Sequence, residues 1–279
     1  METFREAFNK KHPGTEIVCD YFELATGVNC VWENFTKRRL QEFVDFLRSR
    51  MAPNGANTYI SKFKTVLNMY NEEIVLPKDY EKVLSSKKDA SQHVYLNEEE
   101  IQRILEYDPE SESEWCVRNQ FLIGCLTGAR HSDYILFTSK NFFNDSLKYV
   151  SIKTHHDTEV PLSPAVRRLI LENEEHGFIG NKYSDVYFNR LIKNICRKVG
   201  INNQVTLYCF GKFSSGEKWQ YISSHTARRS FASNLYNNGV DIYTISCFCG
   251  HSNVEMTKTY ICCQPKPNEI VLQYFNKFS

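Results

Sequence analysis

Residues 225–260 read HTARRSFASNLYNNGVDIYTISCFCGHSNVEMTKTY. His225 and Arg228 stand three apart at a helix start, so their side chains share one face. Phe231 and Leu235 carry that helix inward until Asn238-Gly239 stops it. Asp241 caps a second helix running through Ile242, Ile245 and Phe248 to Gly250, and His251 follows at once. Ser252 and Glu255 then have capping-box spacing, and the helix they open over 253–260 delivers Tyr260 at its far end. Taken alone, the stretch suits a helix-turn-helix DNA reader or a plain helical bundle better than an enzyme. Tyr260 is one of sixteen tyrosines, most of which serve packing.

Upstream, Thr127-Gly128-Ala129-Arg130-His131-Ser132-Asp133 sets an arginine just past a glycine break. There a helix end aims it into a cleft, and Asp133, one turn on, is placed to orient its guanidinium. Leu147–Ile152 alternates as a strand, His155-His156-Asp157 turns and Glu159–Leu162 returns, which puts Lys153 at the exposed end of a hairpin. Simple DNA readers need neither feature. Around these lie an apolar helix over 116–127 and helices at about 164–174, 184–199, 226–237 and 241–249. Asn97 and Glu100 form a capping box that opens this half of the chain. Before it, 33–50 places Leu40, Phe43, Val44 and Leu47 at helical spacing, and Pro53-Asn54-Gly55 breaks that helix. A second amphipathic stretch, 58–73, turns Ile60, Phe63, Val66, Leu67 and Tyr70 inward. Lys78–His93 lacks an apolar period and reads as a linker.

With 279 residues, 42% of them hydrophobic, the chain can bury one large core or two ordinary ones. No apolar run has membrane-spanning length and the charged start is unlike a signal peptide, so a cytoplasmic, nucleoid-associated protein is expected. The ten cysteines then read as reduced, mostly buried thiols. Cys247-Phe-Cys249-Gly-His251 hints at metal ligation but lacks a second ligand cluster, so no metal or cofactor is expected and two packed helix cysteines are the plainer reading. The formal charge is only +1, yet its distribution is uneven. Residues 97–115 hold eight acids and one Arg, whereas 181–230 hold nine Lys or Arg against two acids. That imbalance fits one face meeting phosphates while another stays solvated.

Gly128-Ala-Arg130, Lys153-Thr154 in a hairpin, His225-x-x-Arg228, Gly250-His251 and Tyr260 together resemble the motif set of the phage-integrase family of tyrosine recombinases. Order agrees, and so does spacing: 23 residues from Arg228 to His251 and nine from His251 to Tyr260. The likeness covers most of 95–265. Arg229 departs from it where many relatives carry His, as does Cys247-Phe-Cys249 where aliphatic residues are usual. The resemblance implies an α+β protein. A helical core-binding domain with its linker (1–92) would precede a mixed catalytic domain (93–279) with a small antiparallel sheet and a C-terminal tail helix. A further arm-binding domain has little room before residue 33.

It also implies an enzyme that cleaves and rejoins duplex DNA through a 3′-phosphotyrosyl link, integrating or excising a mobile element. Tyr260 would be the nucleophile, and a phenol of pKa near 10 needs cations and a base to act at neutral pH. Arg130 and Arg228 would absorb charge on the non-bridging phosphate oxygens, His225 would be the base and Lys153 would protonate the departing 5′ oxygen. His251 would bond the phosphate, with Asp133 holding Arg130. Lys62, Lys64, Arg190, Lys193, Arg197 and Arg229 are further candidates for DNA contact; Arg167, Arg168 and Lys198 read as phosphate contacts or solvated faces. A homotetramer on DNA, a monomer when free and accessory DNA-bending proteins are implied as partners, without a membrane. Val271, Phe275 and Phe278 form one stripe in the tail, expected to dock on a neighbouring protomer in preference to its own domain. A type IB topoisomerase and a non-catalytic DNA-binding protein are the competing readings.

Overall fold

The computed structural model describes residues 2–86, 91–209 and 212–263, so the tail stripe lies outside the described residues. The chain divides into two compact units, Met1–Ser91 with Tyr208–Phe213, and the remainder from Gln92 onward.

The first unit is helical: α1 (Phe4–Lys11), α2 (Ile17–Thr26), α3 (Lys37–Arg50), α4 (Pro53–Met69) and the single turn α5 (Tyr80–Val83). Its core is aromatic. The Phe63 ring lies 4.7 Å from that of Phe4, 4.8 Å from Phe43 and 5.3 Å from Phe35. Leu40, Phe43, Val44 and Leu47 of α3, and Ile60, Phe63, Val66 and Leu67 of α4, are fully buried as their spacing predicts. Three readings need correction. Helices α1 and α2 were not expected, although Thr3 and Glu6 form a capping box at the start of α1. The helix breaks as expected just ahead of Pro53, but Pro53-Asn54-Gly55 already opens α4, because proline at the first position gives up an amide that has no helical partner. The expected linker contains α5, and Leu84 just after it is buried.

The second unit begins with α6 (Glu98–Glu106), opened by the Asn97–Glu100 capping box, and α7 (Glu112–Thr127). Helix α7 has no polar face because it packs against α6, α9 (Pro164–Glu175), α10 (Asp185–Lys198) and α11 (Ser224–Asn237). Among its buried polar groups the Gln120 amide donates to the Phe178 carbonyl at 2.9 Å, whereas Trp115 Nε1 is buried without a partner. The short α8 (His131–Tyr134) leads to an antiparallel sheet of β1 (Phe142–Phe143), β2 (Ser146–Val150) and β3 (Asp157–Pro161). Val150 pairs with Asp157, so Lys153 lies in the connecting turn and not on a strand.

A second sheet, β4 (Gln204–Cys209) with β5 (Lys212–Glu217), was not expected among the helices that dominate after the hairpin. Strand β5 is largely exposed and has no apolar alternation to betray it. After α11 come α12 (Ile242–Phe248) and α13 (Val254–Lys258). Asp241 caps α12 as expected, but Asn253 and not Ser252 caps α13, accepting from the Met256 amide. Helix α13 also stops two residues short of Tyr260. Cys249 is buried whereas Cys247 is exposed, so only one of that pair packs. Among the described residues no helix is long and apolar enough to cross a membrane.

Candidate active site

Gly128 ends α7 with φ +68°, a conformation that costs other residues energy. A Cβ there would lie 2.3 Å from the Phe231 ring, so the residue must also be small for α11 to approach. The turn makes Arg130 the residue preceding α8. Its Nη1 donates to Ser151 Oγ at 2.9 Å, and Ser151 Oγ donates to Asp133 Oδ2 at 2.9 Å. Asp133 Oδ1 accepts from the Ile152 amide at 3.0 Å. Asp133 therefore does not hold Arg130 directly. It works through Ser151 and anchors the Lys153 turn with the same carboxylate. Both Ser151 and Asp133 are buried, which removes competition from water. Ser151 carries no motif signal; only sheet register brings it here.

Arg228, one turn into α11, is 1% exposed. It donates to the Gly128 carbonyl at 2.7 Å and to the Cys249 carbonyl at 2.5 Å, which ties the ends of α7 and α12 together. Its Nε is buried without a partner. Neither Arg130 nor Arg228 has a carboxylate in an ion pair among the described residues. A buried guanidinium held only by carbonyls keeps most of its charge available to an incoming anion.

Gly250 adopts φ +57° and a Cβ would meet Thr158 of β3 at 2.7 Å, so this break between α12 and α13 sits hard against the sheet. His251 follows, its ring stacked on Tyr260 with centroids 5.0 Å apart. Its Nδ1 pairs with Thr257 Oγ1 at 2.9 Å, and its Nε2 is buried without a partner. Burial first, then the charges of Arg228 and Arg130, pull the His251 pKa down to about 3. The Tyr260 ring lies 5.1 Å from the Arg228 guanidinium carbon. Arg130, Lys153, His225 and Tyr260 line one cleft of about 650 Å³ with His131, Asp185 and Asn189. His225 keeps an exposed edge. Desolvation of the rest, then Arg229, Arg228 and Lys153, lower its pKa, favouring the neutral imidazole a proton acceptor must be.

A family model described as the phage integrase family matches residues 94–266. The chain belongs to that family. The integrase of Escherichia phage P2 is 26% identical over 176 residues, 62% of this chain but only 44% of that protein. The tyrosine recombinase XerC of Rickettsia bellii (strain RML369-C) is 25% identical over 263 residues, 88% of this chain and 77% of that one. Among solved structures, the Tn1549 transposon integrase in complex with transposon right end DNA has a TM-score of 0.68 at 14% identity, covering 99% of both chains. A lambda integrase dimer bound to a core site has a TM-score of 0.66 at 15% identity, covering 93% of this chain and 95% of that one. The fold is therefore the expected α+β recombinase fold.

In this phage integrase family member the remaining basic candidates scatter. Lys62 and Lys64 sit on α4, where Lys62 donates to Thr15 Oγ1 at 3.4 Å and Lys64 pairs with Glu81 at 3.7 Å. Arg190 and Arg197 are exposed on α10 and Lys193 is half-buried. Arg229 is also half-buried, with its Nε buried and unpartnered, so it turns toward the protein more than a phosphate contact requires. Most acids of the stretch 97–115 are exposed, but Glu100 and Glu114 are buried. Glu100 pairs with Lys218 at 2.6 Å, and Glu110 and Glu114 each hold Lys198 at 2.8 Å. Two of the nine cations in 181–230, Lys198 and Lys218, are thus paired inside the unit.

Proposed function

We infer that the chain is a site-specific DNA recombinase of a mobile element, acting through a 3′-phosphotyrosyl intermediate. One observation carries this reading. Arg228 is buried without a carboxylate, beside the Tyr260 ring, while Arg130 and Tyr260 line the same cleft. Such a site asks for an anion, and a backbone phosphate between the two arginines meets the tyrosine.

In the proposed reaction the Tyr260 oxygen attacks phosphorus and gives its proton to His225. Arg130 and Arg228 take the charge growing on the non-bridging oxygens, each worth several kcal/mol of barrier, on the order of other electrostatic clamps. His251 adds a hydrogen bond. The P–O bond to the 5′ carbon's oxygen breaks, and Lys153, on its exposed turn, protonates that oxygen. The phosphotyrosyl ester keeps the bond energy, so attack by a new 5′ hydroxyl reverses the sequence and frees Tyr260.

Duplex DNA is the proposed partner, supported by the DNA-bound structures that the fold resembles. Residues 1–92 serve as the core-binding domain and 93–279 as the catalytic domain. Strand exchange needs two duplexes and four protomers, with accessory DNA-bending proteins where the site is long. Arg190, Lys193 and Arg197 approach phosphates outside the scissile one, as do Lys62 and Lys64.

The test is a nicked suicide duplex spanning the element's joined ends. Wild-type protein forms an SDS-resistant adduct and Tyr260→Phe forms none. Lys153→Ala cleaves slowly, yet recovers when a bridging sulfur replaces the 5′ oxygen, because a thiolate leaves without a proton. An adduct that survives Tyr260→Phe overturns the reading.

A further inference from the structure

Thr257 is fully buried in the short helix α13, one residue before its end. Its hydroxyl carries one hydrogen, which must find an acceptor, since an orphaned buried donor is costly. Threonines in helices commonly donate to a carbonyl one turn back, as Thr259 does to the Met256 carbonyl at 2.7 Å. Among the described residues Thr257 Oγ1 has no such bond and a single neighbour, Nδ1 of His251 at 2.9 Å. A neutral imidazole holds its proton on one nitrogen. With the proton on Nδ1, imidazole and hydroxyl would both be donors at one contact, and the hydroxyl hydrogen would be left without an acceptor. With the proton on Nε2, the hydroxyl donates to Nδ1 and the contact is satisfied.

We propose that Thr257 is a positioning residue that locks His251 in the Nε2–H tautomer, so that Nε2 presents a fixed hydrogen-bond donor to the scissile phosphate. Nε2 is the atom left buried and unpartnered, which is the state expected of a donor awaiting a ligand oxygen. The imidazolium would also fail here, since its Nδ1–H would strand the hydroxyl hydrogen and its charge would face Arg228 and Arg130. The residue thus acts as a neutral donor that neither adds nor removes a proton. The catalytic part of this inference rests on the recombinase reading, whereas the tautomer part does not.

The experiment uses the full chain with ¹⁵N-labelled histidine, reading tautomers from long-range ¹H–¹⁵N correlations. The His251 signals are identified by their loss in His251→Gln. Wild type is expected to show one tautomer, protonated at Nε2. Thr257→Val, which keeps the shape and loses the hydroxyl, is expected to show a mixture with Nδ1–H, and Thr257→Ser to restore the single form. On the suicide duplex Thr257→Val should cleave about fivefold slower, the effect of one ordinary hydrogen bond, and cost nothing further in a His251→Ala background. An Nδ1–H or doubly protonated His251 in wild type overturns the proposal even if the valine variant does not fold, and so does a pure Nε2–H form in Thr257→Val. If His251→Ala cleaves as fast as wild type while the tautomer still depends on Thr257, the lock stands and the assignment of His251 to the phosphate falls.

Discussion

At the scale of single residues, the site is a cluster of cations that discourages further positive charge. His251 is the extreme case, but His12, His93, His131 and His225 are also held below the ordinary histidine value, with burial the largest cause in each. In the unfolded chain these side chains take up protons near pH 6.5. The folded chain takes them up only at lower pH, and at His251 only near pH 3. Between pH 6.5 and about 3 the unfolded state therefore binds more protons, and stability falls as pH falls through that window. Urea midpoints at pH 7 and pH 5 should record the loss, and His251→Asn should flatten it. A midpoint that rises on acidification would contradict the burial of these rings. Ser151 teaches a second residue-scale lesson: one buried hydroxyl passes the carboxylate of Asp133 to Arg130, so the cation is positioned without being neutralised.

At the scale of elements, the site is made where helices stop. Gly128 ends α7, Cys249-Gly250 ends α12, and both carbonyl groups held by Arg228 belong to those endings. Helix-terminal carbonyls lack helical partners, so they are free to bind a guanidinium. Gly128→Ala should therefore act twice. Its φ of +68° and the 2.3 Å approach to Phe231 together predict a loss of at least ~2 kcal/mol in urea unfolding. It should also reduce adduct yield, by displacing the carbonyl that accepts from Arg228. A Gly128→Ala protein as stable as wild type would show that α7 can end another way.

At the scale of the whole molecule, a net charge of +1 conceals an internal settlement. Acids of 97–115 pair with Lys198 and Lys218, and Arg228 is buried, which leaves Arg190 and Arg197 among the exposed cations of that basic stretch. If both contact phosphates, Arg190→Ala with Arg197→Ala should make the slope of log affinity against log salt concentration shallower by about 1.8 on duplex DNA. Lys198→Ala should leave the slope unchanged and instead lower stability by uncovering Glu114. Equal slopes in all three proteins would move the DNA contact surface elsewhere.

The sequence by itself determined which residues could meet. The glycine breaks, the capping boxes and the order and spacing of Arg130, Lys153, His225, Arg228, His251 and Tyr260 are local facts, set by backbone sterics and helical period. It also decided the two inward faces of α3 and α4. Tertiary structure alone decided how those residues are held. Ser151 reaches Arg130 because two strands pair in one register, and Glu114 spends its charge on Lys198 across 84 positions. Hydrogen bonds and ion pairs between distant residues leave no period in the chain. The exposed strand β5 left none either, for it has no buried face to write one.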